Sequence, residues 1–196
     1  MNKDLKIKLK SKFKFYPVTK INWKDFENLF GEKGACAGCW CMYWRMRRKD
    51  YDLQRGSGTK KIMKNLVNNG TVPGIIAYDN NKPVGWCSVA PREDFPVLEN
   101  SRVLKRIDEK PVWSIVCFFI QKEFRKKGLS LELLNAAITF VKMNKGKIIE
   151  GYPVEPKSGK TADVFAWTGL ASAFRKAGFK ELERRSETRP IMRYII

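Results

Sequence analysis

The sequence contains no histidine. That absence removes Ser-His-Asp and Cys-His nucleophilic sites, HExxH metalloprotease sites and every histidine-ligated metal. Proton transfer must fall to Glu, Asp, Tyr, Cys, Lys, the substrate or water. Long hydrophobic runs are missing too. The longest nearly apolar stretch, Val112 to Ile120, falls well short of the roughly 20 residues that span a bilayer. The first ten residues carry charges at Lys3, Asp4, Lys6, Lys8 and Lys10 and no apolar block, so no signal peptide is visible and a cytoplasmic location is expected. In that compartment the five cysteines would be mostly reduced. Acidic residues are scarce, 20 against 39 Lys and Arg, which leaves a net charge of +19. So basic a surface attracts phosphates, nucleic acids and anionic membranes. The excess is diffuse, however: Lys3, the alternating lysines from Lys6 to Lys14, Arg45 to Lys49, Arg125 to Lys127, and Arg184 with Arg185. Only the cluster Arg125 to Lys127 sits where a physical partner can be named.

What is present is the composition of a folded domain. The chain has 196 residues, 43% hydrophobic and 30% charged, which predicts one domain over 1–196 with a real core. No repeat or long linker interrupts it. Phe13 to Val18 reads as a strand. Asn22 is a candidate N-cap, with Asp25 three residues on, for a helix carrying Trp23, Phe26, Leu29 and Phe30 at helical spacing. A cysteine-rich and aromatic segment, Gly34 to Arg48, precedes a helix from Thr59 to Asn69 that Gly70 ends. Gly74 to Tyr78, the turn residues Asp79 to Lys82, and Val84 to Val89 form a hairpin. Pro91 to Lys110 is polar and loop-like, with room for a short helix. Val112 to Ile120 is a buried strand by its β-branched and aromatic content. A helix from Gly128 to Val141 and a strand from Lys147 to Tyr152 follow. Thr168 then caps a helix ending near Ala177, and Lys180 to Arg184 and Pro190 to Ile195 are the last strands. The order β-α-α-β-β-β-α-β-α-β-β predicts an α/β layer fold with a mixed sheet.

The segment that carries chemistry is Ile120-Gln-Lys-Glu-Phe-Arg125-Lys-Lys-Gly128-Leu-Ser130, between a buried strand and a long helix. A strand, a tight basic loop and a helix N-terminus make an anion site, because the first amides of the helix point outward and its dipole adds positive charge. Gly128 permits close backbone approach, and a diphosphate suits the geometry. The segment resembles the signature of the GNAT superfamily of acetyltransferases: an apolar strand residue, four residues, Arg or Gln, two residues, Gly, one residue, and Gly or Ala. Here these are Ile120, Arg125, Gly128 and, at the last place, Ser130, a small residue where the family has Gly or Ala. Phe174-Arg-Lys-Ala-Gly178-Phe179 and the hairpin Gly74 to Ser88 are similar to later and earlier parts of the same family. The likeness runs from about Tyr16 to the C-terminus, and the phrases CWCMYWR, VGWCSVAPR, VWSIVCFFI and EGYPVEP resemble a subgroup with no substrate attached to it.

That resemblance implies a GNAT fold, a mixed, mostly antiparallel sheet flanked by helices, with central strands that splay apart. It implies acetyl-CoA as cosubstrate and direct attack by an amine in a ternary complex. The pantetheine arm would enter the splay and bond main-chain groups of Phe118 and Ile120 like an added strand. The diphosphate would lie on Arg125, Lys126, Lys127, Gly128, Leu129 and Ser130. An amide in the splay would polarise the thioester carbonyl. Where some members carry a strand glutamate, this chain has Ser114; where many carry a helix tyrosine, it has Phe174. Glu150 and Glu155 are therefore the candidate bases, with Glu150 preferred, and Tyr152 and Cys117 the candidate acids. Trp40, Tyr43 and Trp44 are expected to wall the acceptor pocket.

Cys36, Cys39 and Cys41 invite a zinc reading, but a tetrahedral site wants four ligands and the cluster offers three, so no metal is expected. The acceptor is expected to be a small-molecule or peptide amine, with no nucleic-acid or membrane partner and a homodimer left open. Two other readings remain: a CoA-binding regulatory protein without catalysis, given the missing glutamate and tyrosine, and a basic nucleic-acid-binding module.

Overall fold

The computed structural model describes residues 6–157 and 166–196; Lys3 lies outside them. Seven strands form one sheet in the order β1-β2-β3-β4-β5-β7-β6. They are β1 (Lys14–Pro17), β2 (Gly74–Asp79), β3 (Lys82–Pro91), β4 (Trp113–Ile120), β5 (Ile148–Gly151), β6 (Lys180–Arg184) and β7 (Pro190–Ile195). Every neighbouring pair is antiparallel except β4 and β5, which are parallel. The helices are α1 (Trp23–Phe30), α2 (Arg48–Gln54), α3 (Ser57–Asn68), the single turn α4 (Pro96–Glu99), α5 (Leu129–Met143) and α6 (Ala171–Lys176). The mixed sheet with flanking helices is the expected fold class.

Period-two alternation sorts the central strands onto two cores. Ile75, Ala77, Val84, Cys87, Val89, Ile115 and Phe118 face α5 and α6, packing on Leu133, Leu134, Ala137 and Phe174. Ile76, Tyr78 and Trp86 face the other way, against Phe26, Phe30, Trp40, Met63 and Val67. A third cluster, holding Trp44, Phe95, Leu98, Leu104, Val116 and Tyr152, covers the end of that second face. The alternation also explains the first lysines. Ile7 pairs with Phe15 and both are buried, while Lys6, Lys8, Lys10, Lys12 and Lys14 point to solvent.

Three local expectations differ. Helix α2 is not foreseen, because its sequence is polar and only Tyr51 is buried, so there is no apolar stripe to read. Asn22 precedes α1, but its side chain does not cap that helix. Its Oδ1 instead accepts the Thr19 amide at 2.8 Å and its Nδ2 donates to the Pro17 carbonyl at 3.0 Å, closing the one-turn 3-10 helix Lys20–Asn22. Nor does Thr168 cap α6, which starts three residues beyond it, after Leu170.

Candidate active site

The parallel pairing of β4 with β5 covers only Trp113 with Ile149, Ser114 with Glu150, and Ile115 with Gly151. Beyond Ile115 the strands part. The cause lies on the opposite edge of β4. Ser88 of β3 faces Cys117 and the next residue, Val89, faces Ile115, so Val116 is one residue too many. Such a bulge bends and twists its strand, and here it bends β4 away just where pairing with β5 stops. Gly151 sits at the vertex. A Cβ there would lie 2.0 Å from the Phe174 ring, so glycine is what lets α6 pack against the end of β5. Phe118 and Ile120 share one edge of β4 by the same alternation. The Phe118 amide is turned into the opening, where it donates to the Trp167 carbonyl at 2.6 Å.

The basic loop stands at the far end of the same strand. A 3-10 turn, Lys122–Phe124, leads to Arg125, whose Nε donates back to the Ile120 carbonyl at 3.0 Å. Lys126 (φ 59°) and Gly128 (φ 82°) both take left-handed backbone angles, and α5 then begins at Leu129. The Leu131 and Glu132 amides close onto the Gly128 carbonyl at 3.0 and 3.3 Å. Amides ahead of them have no helical carbonyl to use. Leu129 is 1% exposed and anchors the turn from below, while Lys126 and Lys127 are exposed and Ser130 is half-buried. A Cβ on Gly128 would meet nothing within 4 Å. Glycine is thus required by the backbone angle, and the space beside it is open to a ligand.

The sequence profile described as the acetyltransferase (GNAT) family matches residues 21–150. The chain belongs to the GNAT acetyltransferase family. No protein of curated function matches it in sequence. Solved structures share its fold at low identity. PaiA N-acetyltransferase from Thermoplasma acidophilum, in complex with coenzyme A, is 13% identical with a TM-score of 0.53 over 94% of this chain and 99% of that one. A ribosomal-protein-S5-alanine acetyltransferase from Vibrio fischeri is 14% identical, TM-score 0.54, over 98% and 97%. A chain of the NatC complex bound to Gag peptide and CoA is 12% identical, TM-score 0.56, over 95% and 99%.

In this GNAT domain the carboxylates near the vertex are already engaged. Glu150 is 2% exposed. Its Oε1 accepts from Arg193 Nη2 at 2.5 Å and Nε at 3.1 Å; its Oε2 accepts from Tyr152 at 2.9 Å and Arg92 at 3.4 Å. The Tyr152 hydroxyl also receives Arg92 Nη1 at 2.5 Å and lies 2.9 Å from the Ser114 hydroxyl. Burial, followed by the Glu150 charge, pushes the phenol of Tyr152 well above its ordinary value. Glu155 is bound by Arg175 and Arg184, and their hydrogen bonds hold its carboxyl down at about 2. Because that folded value is depressed from 4.5, the pairing stabilises the fold above pH 4.5 and is lost as pH falls toward 2. The melting-temperature advantage of the parent over Glu155→Gln should therefore shrink steadily across that window in thermal melts.

The aromatic segment divides in two. Trp40 is 3% exposed, its ring 5.7 Å from Phe30 in a stack, beneath Lys60. It is core, in the cluster of Phe26, Phe30 and Trp86, whereas Tyr43 and Trp44 pack at Trp167. Trp44 is buried, with an indole N–H that has no partner among the described residues. Both rings meet Trp167, Tyr43 at 5.4 Å and Trp44 at 5.6 Å. Trp167 belongs to no motif and Arg92 only closes the phrase VGWCSVAPR, so neither stands out in the sequence as a site residue. Cys117 lies half-buried on β4 beside the opening. Its hydrogen bond to Cys41 and its burial raise its thiol well above the ordinary value. Burial pushes the Cys41 thiol up, but hydrogen bonds from Cys117, Trp86 and Ser88 outweigh that and leave it lowered. All five cysteines are free, and among the described residues no group of three or more Cys, Asp or Glu is arranged to hold a metal ion.

Proposed function

We propose that this protein transfers the acetyl group of acetyl-CoA to an amine by direct attack in a ternary complex. The observation that carries the reading is an alignment along one strand. The opening at Val116 to Ile120 and the left-handed loop at Gly128 lie in succession, the first on β4 and the second in the turn that leaves its end. The diphosphate would rest on the amides of Gly128, Leu129 and Ser130, with Arg125, Lys126 and Lys127 adding charge. The arm would run along Phe118 and Ile120, taking the place of the Trp167 carbonyl. The Phe118 amide would then stabilise the oxyanion. The amine nitrogen bonds to the carbonyl carbon, the C–S bond breaks, and the thiolate takes a proton.

Among the candidate acids and bases, we assign Cys117 the donated proton. Its raised thiol is protonated at neutral pH, and it is half-buried, whereas the Tyr152 hydroxyl is enclosed by three partners. Glu150 is assigned a positioning role, holding Tyr152 and two arginines at the vertex, because both its oxygens are committed. The ammonium proton would leave to water. The test is thiol release from acetyl-CoA over a panel of small amines, amino acids, polyamines and peptides. Turnover with at least one class is expected, and a lowered kcat at similar KM in Cys117→Ala. Tight acetyl-CoA binding with no turnover across the panel would favour the second reading, a CoA-binding regulatory protein, which the committed state of Glu150 and Glu155 supports. The domain extent 1–196 and a cytoplasmic location accompany this proposal.

A further inference from the structure

Arg189 stands apart from the other arginines that are not fully exposed. Arg45, Arg92, Arg106, Arg184, Arg185 and Arg193 each pair with a carboxylate. Arg189 pairs with none among the described residues; its Nη1 donates only to the Thr168 hydroxyl, at 3.2 Å. Thr168 itself is 0% exposed. Burial lowers the guanidinium's affinity for its proton, and only the nearby Tyr43 opposes that. A half-buried cation without a counter-ion is costly, and this fold otherwise avoids it.

Its position gives the missing counter-ion a meaning. Arg189 ends the β6–β7 turn, which is held by its own amide to the Ser186 carbonyl at 3.1 Å and by the Glu155 amide to the Thr188 carbonyl at 2.9 Å. Thr168 directly follows Trp167, whose carbonyl takes the Phe118 amide and whose ring meets Tyr43. The guanidinium therefore sits at the rim of the opening, on the side of Tyr43. A guanidinium fork matches a carboxylate in two parallel hydrogen bonds, and Thr168 ties down just one of its nitrogens.

We propose that Arg189 is the anion receptor of the acceptor pocket, and that the amine acetylated by this protein carries a carboxylate, which Arg189 binds while the amine faces the Phe118 amide. This rests on the acetyl-transfer reading above. The test is calorimetric binding of glycine, β-alanine and γ-aminobutyrate to the CoA-saturated protein, each against the alkylamine that lacks its carboxylate. The parent is expected to prefer at least one carboxylate probe over its twin by about ten- to hundredfold, the span of a charge-assisted hydrogen bond. Arg189→Gln should erase the preference, Arg189→Lys should keep part of it, and binding of the alkylamine twins should not change. A purely structural arginine would lower both twins together, and that result overturns the proposal. So does a parent that binds no carboxylate probe better than its twin, or one that prefers an aminoalkylphosphonate. Thiol release is read on the same samples. A carboxylate preference without turnover would keep the receptor and remove the acetyl-transfer reading; turnover without the preference would do the reverse.

Discussion

Glu150→Gln is expected to destabilise the fold by about 3 kcal/mol, the low end of the cost of breaking a buried ion pair. The low end applies because each arginine keeps a second partner. Arg193 retains Asp108 and Arg92 retains Glu99, whose side chains are 32% and 39% exposed. What is lost is the carboxylate between them, which alone reaches both guanidinium groups and the Tyr152 hydroxyl. For a chain of this length the melting temperature should fall by about 6–12 °C. Thermal melts monitored by circular dichroism would read this directly. The result separates two roles. A carboxylate that only accepts a proton from the substrate leaves the melt unchanged and lowers turnover. If Glu150→Gln melts with the parent and loses activity alone, Glu150 is the base and the positioning role assigned to it is wrong.

Acetyl-CoA at one hundred times its dissociation constant should stabilise the parent by about 2.7 kcal/mol, and Gly128→Val should weaken binding at least tenfold, about 1.4 kcal/mol. Two effects act in the variant. A valine cannot hold φ 82° without strain, so the loop shifts. Its side chain also enters the space beside the backbone that is open now and would belong to a phosphate oxygen. The turn lies at the surface end of β4 and nothing packs on Gly128, so the apo protein should still fold cooperatively. Lys126→Ala should matter less, because an exposed lysine is one screened charge among several. A folded Gly128→Val that binds acetyl-CoA like the parent would remove the loop from the diphosphate site. No thermal shift in the parent at saturating acyl-CoA would remove the cofactor itself.

Much of this was legible in the sequence, and the reasons are specific. Strands β2 to β4 announce themselves as short, nearly continuous apolar runs rich in β-branched and aromatic residues, since each faces two apolar layers. Helix α5 announces itself by Leu129, Leu133, Leu134, Ala137 and Val141. The loop was legible because it must combine a strand end, a left-handed glycine and a helix start within a few residues. The bulge at Val116 was not, because an unpaired residue in β4 is defined only against β3. The engagement of Glu150 was equally hidden. Its partners Arg92 and Arg193 lie 58 and 43 residues away in sequence, and no local pattern ties them together. Trp40 and Trp44, four residues apart in one aromatic run, separate into different cores because Trp40 and Cys41 take left-handed backbone angles, φ 44° and 58°, which turn the chain between them.

The extra residue in β4 has a consequence for how such a cleft can drift over generations. What opens the sheet is a count, one residue more on β4 than on β3, and a count is indifferent to which side chain fills the place. Val116 could be exchanged for another residue of its size with the cleft intact. A one-codon deletion there would be a different event. It would restore continuous pairing with β3 and remove the bend from β4, while Phe118 stayed opposite Cys87 on the face it shares with α5. The cleft is therefore tolerant of spelling and intolerant of length.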